Sequence, residues 1–203
     1  MRNTLVLLGI TFLIILLGAM YAFTRSSPEI KVAVSGSNPS TTTDESMTST
    51  LALISSAFDN GGEIPSQFTC DGEQVNPPLS VSGVPEGTKS LVLIMDDPDV
   101  PKKLRPDGVF DHWTLFNIPP EVREIPMGSS VGTLGANTAG KSEYIGPCPP
   151  REYEPSEHRY FFKLYALDTN LALSRGASKF DVLQAMEEHI LARAELVGRY
   201  RRP

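Results

Sequence analysis

The feature that most constrains the fold is a short continuous apolar run, Ser90 to Met95, closed at both ends by residues that favour turns. Gly87 precedes the run, and Asp96-Asp97-Pro98 follows it. The absence of polar alternation within the run is typical of a strand that is buried on both faces. We therefore predict a strand at the centre of a sheet.

Other short segments have the pattern of strands, and they are separated by many of the 16 glycines and 17 prolines of the chain. The predicted strands are Leu51–Phe58, Phe110–Ile118, His158–Leu167 and a returning strand over Ala194–Arg201. In the second of these, alternation places His112 on the face of Thr114 and Phe116, opposite Trp113. The sequence thus predicts a mostly β protein.

One amphipathic helix is predicted near the end of the chain. Ser178 can cap its start, with Asp181 as the acidic residue three positions later. Apolar residues then recur at helical spacing, namely Phe180, Leu183, Met186, Ile190 and Leu191.

The first fifty residues differ in composition from the rest. Leu5 to Phe23 carries no charge, and at about 1.5 Å per residue it can cross a hydrocarbon core of roughly 30 Å. We predict a transmembrane anchor over residues 1–25, with a cleaved signal peptide and secretion as the alternative. A Ser/Thr-rich linker over residues 26–50 and one domain over 51–203, placed outside the cytoplasm, complete the prediction.

The charge balance argues against nucleic acid as a partner. The formal net charge is −6, and no basic block is long enough to neutralise a run of phosphates.

Polar residues that could form a site follow the predicted central strand. Asp97 and Asp99 lie in Asp97-Pro98-Asp99-Val100-Pro101, where the prolines stiffen the loop that carries the two carboxylates. The alternative is that both side chains only accept hydrogen bonds from turn amides.

Two histidines, His112 and His158, lie near the starts of apolar strands, and a shared pocket is one interpretation of that pattern. A carboxylate such as Asp97 beside one imidazole would favour its charged form, which donates to anions. In Gly146-Pro147-Cys148-Pro149-Pro150 the prolines leave the amides of Gly146 and Cys148 to meet an anion.

These motifs, in this order, resemble the phosphatidylethanolamine-binding (Raf kinase inhibitor-like) family. The similarity rests on Asp97-Pro98-Asp99-x-Pro101, His112-Trp113, Gly146-Pro147-x-Pro149-Pro150 and His158-Arg159-Tyr160. Thr69-Cys70-Asp71-Gly72 and Asn76-Pro77-Pro78-Leu79 are similar to its bacterial and archaeal branch. The resemblance implies an antiparallel β-sandwich with one or two short C-terminal helices. It also implies a small anion pocket lined by Asp97, His112, Gly146, Cys148, Pro149, His158 and Tyr160.

The function implied is that of a binding protein without a cofactor or a reaction of its own. It would hold a phosphate-like or other small anionic group, either a free ligand or a group on a partner protein. Inhibition of a serine protease or kinase through surface loops is the alternative.

Three further readings stay open on the residues alone. A metal site could use His112, His158, Asp97 and Cys148, although no paired metal-ligand spacing is present. Gly128-Ser129-Ser130-Val131-Gly132 matches the serine hydrolase pattern G-x-S-x-G but lacks the preceding strand and following helix that the pattern needs. Cys70 and Cys148 form a disulfide or remain buried thiols.

Overall fold

The computed structural model describes residues 50–203. Within this part the chain forms two antiparallel sheets, one short α-helix and two short 3₁₀ turns. The strands are β1 (Ala52–Ser55), β2 (Leu79–Ser82), β3 (Ser90–Asp97), β4 (Phe110–Ile118), β5 (Glu124–Ile125), β6 (Thr133–Leu134), β7 (Glu157–Leu167) and β8 (Ile190–Arg201), and the helix is α1 (Lys179–Met186). The predicted β-sandwich class is confirmed.

The larger sheet is the frame on which the other elements pack. Its strand order is β6-β4-β3-β7-β8, and the smaller sheet has the order β1-β2-β5. The main core lies between the sheets, where Leu53 and Val81 of the smaller sheet share a cluster with Leu93 of the larger. A second cluster on the other face joins Ile94 of β3 to Val182 of α1. Because both faces are covered, every residue of β3 is buried, as the sequence predicts for a central strand.

All the predicted strands are present, and the first of them is shorter than predicted. β4 has the predicted bounds, β7 begins one residue earlier, and the returning strand is found within β8. The first strand ends at Ser55 because the Ser55 hydroxyl donates to the Pro78 carbonyl at 2.7 Å and accepts from the Ala57 amide at 3.1 Å. That local hydrogen bonding turns the chain before Phe58.

The predicted helix is shorter than expected. Ser178 and Asp181 form the predicted capping box, but α1 ends at Met186. Ile190 and Leu191 belong instead to β8, and the helix buries Val182 and Met186 while the Phe180 side chain stays 68% exposed. Pairing with β7 therefore outweighs the helical spacing of the last two apolar residues.

The prediction of a membrane protein is corrected. No helix within residues 50–203 is long and apolar enough to cross a membrane, and α1, at eight residues, spans only about 12 Å. The predicted anchor and all but the last residue of the predicted linker lie outside the described residues. The membrane partner and the anchored, extracytoplasmic or secreted location, which depended on that segment, are withdrawn.

Candidate functional site

A cavity of about 380 Å³ opens where β3, β4 and β7 begin or end. Its wall combines polar side chains from these strands with apolar residues of two loops. The lining residues are Asp97, Val100, Leu104, Arg105, Phe110, His112, Ile145, Gly146, Cys148, Pro149, Pro150 and His158. Six of the eight predicted site residues therefore lie together, and Asp99 and Tyr160 do not line the cavity.

The polar centre of the cavity is a buried pair of side chains. His158 Nδ1 lies 2.7 Å from Asp97 Oδ2, and the two residues are 1% and 3% exposed. Because a carboxylate only accepts, Nδ1 carries the proton of this hydrogen bond. The other oxygen of Asp97 accepts from the Asp99 amide at 2.8 Å, which fixes the carboxylate at the end of β3. The imidazole is thus held in one orientation.

The second nitrogen of this imidazole has no protein partner. His158 Nε2 is buried without a hydrogen bond to any atom of residues 50–203. Leaving a buried polar atom unpaired costs about 1–3 kcal/mol, so such atoms are uncommon outside functional sites. The position is therefore the clearest candidate contact for a ligand.

His112 reaches the cavity because β4 is irregular. The pairing of β3 with β4 shifts register between Asp96 and Met95, so that Asp111 and Trp113 face consecutive residues and His112 is the extra one. His112 consequently packs against Tyr160 of the main core, with ring centroids 5.2 Å apart. The predicted alternation, with His112 on the face of Phe116, is wrong for this reason, since Phe116 lies in the second cluster.

The protonation of His112 follows from its contacts. Nδ1 donates to the Ile145 carbonyl at 2.7 Å, because a carbonyl oxygen only accepts. Burial lowers the pKa of His112, and the Ile145 carbonyl and the nearby carboxylates oppose that shift only in part. The ring is therefore neutral at physiological pH, and its Nε2 is a hydrogen-bond acceptor.

Tyr160 lies beneath the two histidines. Its ring contacts His112 edge-on and is nearly parallel to His158 at a centroid distance of 6.5 Å. Burial raises the pKa of Tyr160, and its hydroxyl has no partner among the described residues. The side chain supports the wall of the cavity.

The rim of the cavity is the proline-rich segment 146–150. A methyl group at Gly146 would lie 2.6 Å from the Phe68 carbonyl oxygen, so only glycine fits there. Cys148 is joined to Cys70 in a disulfide, and the Cys70 amide donates to the Pro147 carbonyl at 3.0 Å. Neither the Gly146 nor the Cys148 amide donates to another group within the described chain. Both amides are unused at the rim.

Asp99 lies beside the site. Its carboxylate accepts from Arg159 Nη2 at 2.7 Å and Nε at 2.8 Å and from the Arg159 amide at 2.9 Å. The Arg159 guanidinium lowers the pKa of Asp99 and keeps it ionised. Asp99 thus ties the loop after β3 to the start of β7.

The sequence analysis does not identify several of the lining residues. Phe110 could have been identified, because it lies two positions before His112 in the predicted strand β4. Arg105 carries no such signal, since it comes from the loop before β4, where it is paired with Asp107 through two contacts of 2.9 Å. Asp107 raises the pKa of Arg105, and the two side chains form a charge-balanced pair beside the cavity.

The structure bears on two of the alternatives, a metal site and a serine hydrolase. Within residues 50–203 no group of three or more His, Cys, Asp or Glu side chains is arranged to hold a metal ion, and the Cys148 sulfur is engaged in the disulfide. Ser130 lies in the segment between β5 and β6, so the element that directly follows it is a strand and not a helix. The strained strand-to-helix turn of a serine hydrolase is absent at this serine.

An antiparallel two-sheet fold with a histidine-lined cavity at the strand ends defines a class of small binding proteins. The family model for phosphatidylethanolamine-binding protein matches residues 54–201, and the chain belongs to this family.

Relatives place it in the bacterial and archaeal branch. A UPF0098 protein of Methanothermobacter thermautotrophicus is 51% identical over 162 residues, covering 75% of this chain and 99% of that protein. The UPF0098 protein of Chlamydia trachomatis serovar D is 45% identical over 151 residues, covering 74% and 98%.

Solved structures agree with this assignment. A phosphatidylethanolamine-binding protein homolog from Chlamydia trachomatis has a TM-score of 0.73 and 44% identity, over 76% of this chain and 99% of that one. YbcL from Escherichia coli, a member of the same family, has a TM-score of 0.67 and 28% identity, over 75% and 99%.

Proposed function

We propose that the protein captures a small anionic group, such as phosphate, in the cavity and carries out no reaction on it. One observation carries the proposal: His158 Nε2 is buried in the cavity wall without a partner, while Asp97 holds Nδ1. An imidazole fixed in this way can donate from Nε2 in its protonated form.

The donors available to an anion differ between the two histidines. Neutral His112 has its proton on Nδ1, bound to Ile145, so its Nε2 cannot donate to an anion. The direct donors we assign are therefore His158 Nε2 and the amides of Gly146 and Cys148. Arg105 also lines the cavity, but its charge is balanced by Asp107.

The charge of Asp97 is compatible with an anionic ligand only when His158 is protonated. A lone buried carboxylate in the wall would repel an anion. Paired at 2.7 Å with an imidazolium, it forms a unit of zero net charge whose unpartnered end is an N–H donor. Anion binding and a charged His158 therefore favour each other.

The apolar part of the wall suits a ligand that is larger than phosphate alone. Val100, Leu104 and Phe110 line the cavity beside the polar pair. The family name points to a phosphate-bearing headgroup, so phosphoethanolamine and inorganic phosphate are the two probes to use.

The test is calorimetric titration of the full chain with both probes. His158→Gln removes the imidazole donor, and we expect a loss of affinity of about 10-fold to 100-fold, because a hydrogen bond to a charged ligand contributes about 1.5–3 kcal/mol. His189→Gln is the matched control, since His189 is exposed and bonded to Asp168 outside the cavity. Equal affinities of the His158→Gln and wild-type proteins, or no binding by the wild type, would refute the proposal.

Inhibition of a protease or kinase through a surface loop is the second candidate. The loop before β4 borders the cavity and exposes half of Leu104. Replacing both His112 and His158 by Ala separates the two: an inhibitor that uses this loop would keep its inhibition, whereas an anion-binding protein would lose its ligand.

A further inference from the structure

The disulfide joins the cavity rim to a different part of the chain. Cys148 lines the cavity and is exposed to solvent, and its partner Cys70 lies 78 residues earlier. A soluble dithiol can therefore approach the bond from the side of Cys148.

Few other contacts hold the chain after Cys148. Between Cys148 and the start of β7 at Glu157, the hydrogen bonds and salt bridges made within residues 50–203 are sparse. One is local, from the Ser156 amide to Glu154, and the other is an ion pair of 3.9 Å between Arg151 and Asp71. The prolines at 149, 150 and 155 supply no amide donors of their own. Pro149 is buried by packing, and beyond that the disulfide is the main tether of this segment.

The other end of the tether is firmly anchored. Asp71, next to Cys70, accepts from Tyr200 Oη at 2.8 Å and from Arg202 Nη2 at 2.8 Å. These contacts lower the pKa of Asp71 to about 2, so the anchor remains charged at physiological pH. The disulfide therefore connects the segment after Cys148, which makes few hydrogen bonds, to a fixed point near the end of β8.

We propose that the Cys70–Cys148 disulfide is a redox control of the cavity, in which reduction loosens the rim and weakens ligand binding. The inference rests on the proposed function for the effect on affinity. A dithiol gives two electrons and two protons, the bond between Cys70 and Cys148 breaks to two thiols, and the dithiol becomes a disulfide.

The size of the effect follows from the order that is lost. A ligand that uses the rim amides of the reduced protein must first fix the rim, and ordering one residue costs about 1–2 kcal/mol. Fixing a single residue already corresponds to about a 5-fold to 30-fold loss of affinity. We expect phosphate to bind about tenfold more weakly after reduction, within that range.

The test uses the full chain with ¹⁵N-labelled histidine, before and after reduction with dithiothreitol. The chain contains three histidines: His112 and His158 line the cavity, while His189 on the surface is an internal control. We expect the imidazole signals of the first two to shift or broaden on reduction and to recover on reoxidation, with His189 unchanged. The histidine signals of a Cys70→Ser, Cys148→Ser variant should resemble those of the reduced wild type and should not change when dithiothreitol is added.

Phosphate titration of the same samples completes the test. Rim changes together with a tenfold loss of affinity support the proposal. Unchanged His112 and His158 signals in fully reduced protein overturn it, as does an unchanged phosphate affinity, or loss of all three native signals, which would mean global unfolding. If the oxidised protein binds neither phosphate nor phosphoethanolamine, the proposed function fails, and with it the control of affinity, even where the histidine signals still report a redox change at the rim.

Discussion

The disulfide also makes a quantitative prediction about stability. Cys70 and Cys148 are 78 positions apart, and closing a loop of that length lowers the conformational entropy of the unfolded chain. The chain-entropy relation gives about 4.5 kcal/mol for such a loop. For a domain of this size, that value corresponds to a fall in Tm on the order of 10–15 °C when both cysteines are replaced by serine.

The assay is thermal unfolding followed by circular dichroism, with and without dithiothreitol. The chain has two cysteines, so the double serine variant has no thiol left to form wrong pairs and should ignore the reductant. Wild type in dithiothreitol should melt near the variant. A fall of less than about 4 °C would refute the entropic reasoning, because it would mean that the unfolded chain gains little freedom when the bond is broken.

The other predictions concern single contacts. Gly146→Ala should destabilise the protein by about 1–3 kcal/mol in urea unfolding, because the new methyl group would meet the Phe68 carbonyl at 2.6 Å. A loss of less than about 0.5 kcal/mol, which is the size expected for a substitution that meets no clash, would contradict the prediction. Because the pKa of His112 is lowered in the folded state, the unfolded state binds a proton more readily below pH 6.5. The free energy of unfolding should therefore fall as the pH drops. An identical pH slope in His112→Gln would count against this. The Asp71 pKa of about 2 should contribute stability that is complete above pH 4 and lost between about pH 4 and 2. Arg202→Met should move the NMR titration of Asp71 toward the usual range, and an unmoved titration would exclude the Arg202 contact as its cause.

The strands were predictable where both faces of the sheet are regular. β3 is apolar throughout because the second sheet covers one face and α1 covers part of the other, and this burial leaves a continuous apolar run in the sequence. β7 alternates because one of its faces meets the main core and the other remains more exposed. In both strands the order of apolar and polar residues follows directly from which faces are buried.

The position of His112 was not predictable from alternation. A bulge depends on how two strands pair, and the pairing of β4 with β3 leaves no mark in the sequence of β4 alone. Arg105 is missed for a similar reason, since it enters the cavity wall from a loop whose path is set by tertiary contacts. The resemblance to the family supplies His112 and Cys148 as site residues but does not reveal which nitrogen carries a proton.

The end of β3 explains why the cavity residues can be held so firmly. Asp97 faces the cavity and bonds to His158, while its neighbour Asp96 bonds Lys163 Nζ at 2.9 Å and Lys179 Nζ at 3.3 Å. Neighbouring strand residues point to opposite faces, so charged contacts fix this strand end from both sides. A ligand group that meets His158 then meets an imidazole whose orientation is already set, and little ordering is needed at that contact. The rim contains no such charged pairs, and it is joined to the segment around Cys70 by the disulfide and by the hydrogen bond from the Cys70 amide to the Pro147 carbonyl. The cavity therefore has a wall held by hydrogen bonds and ion pairs at the end of β3 and a rim tied by the disulfide, and a reductant would act on the rim alone.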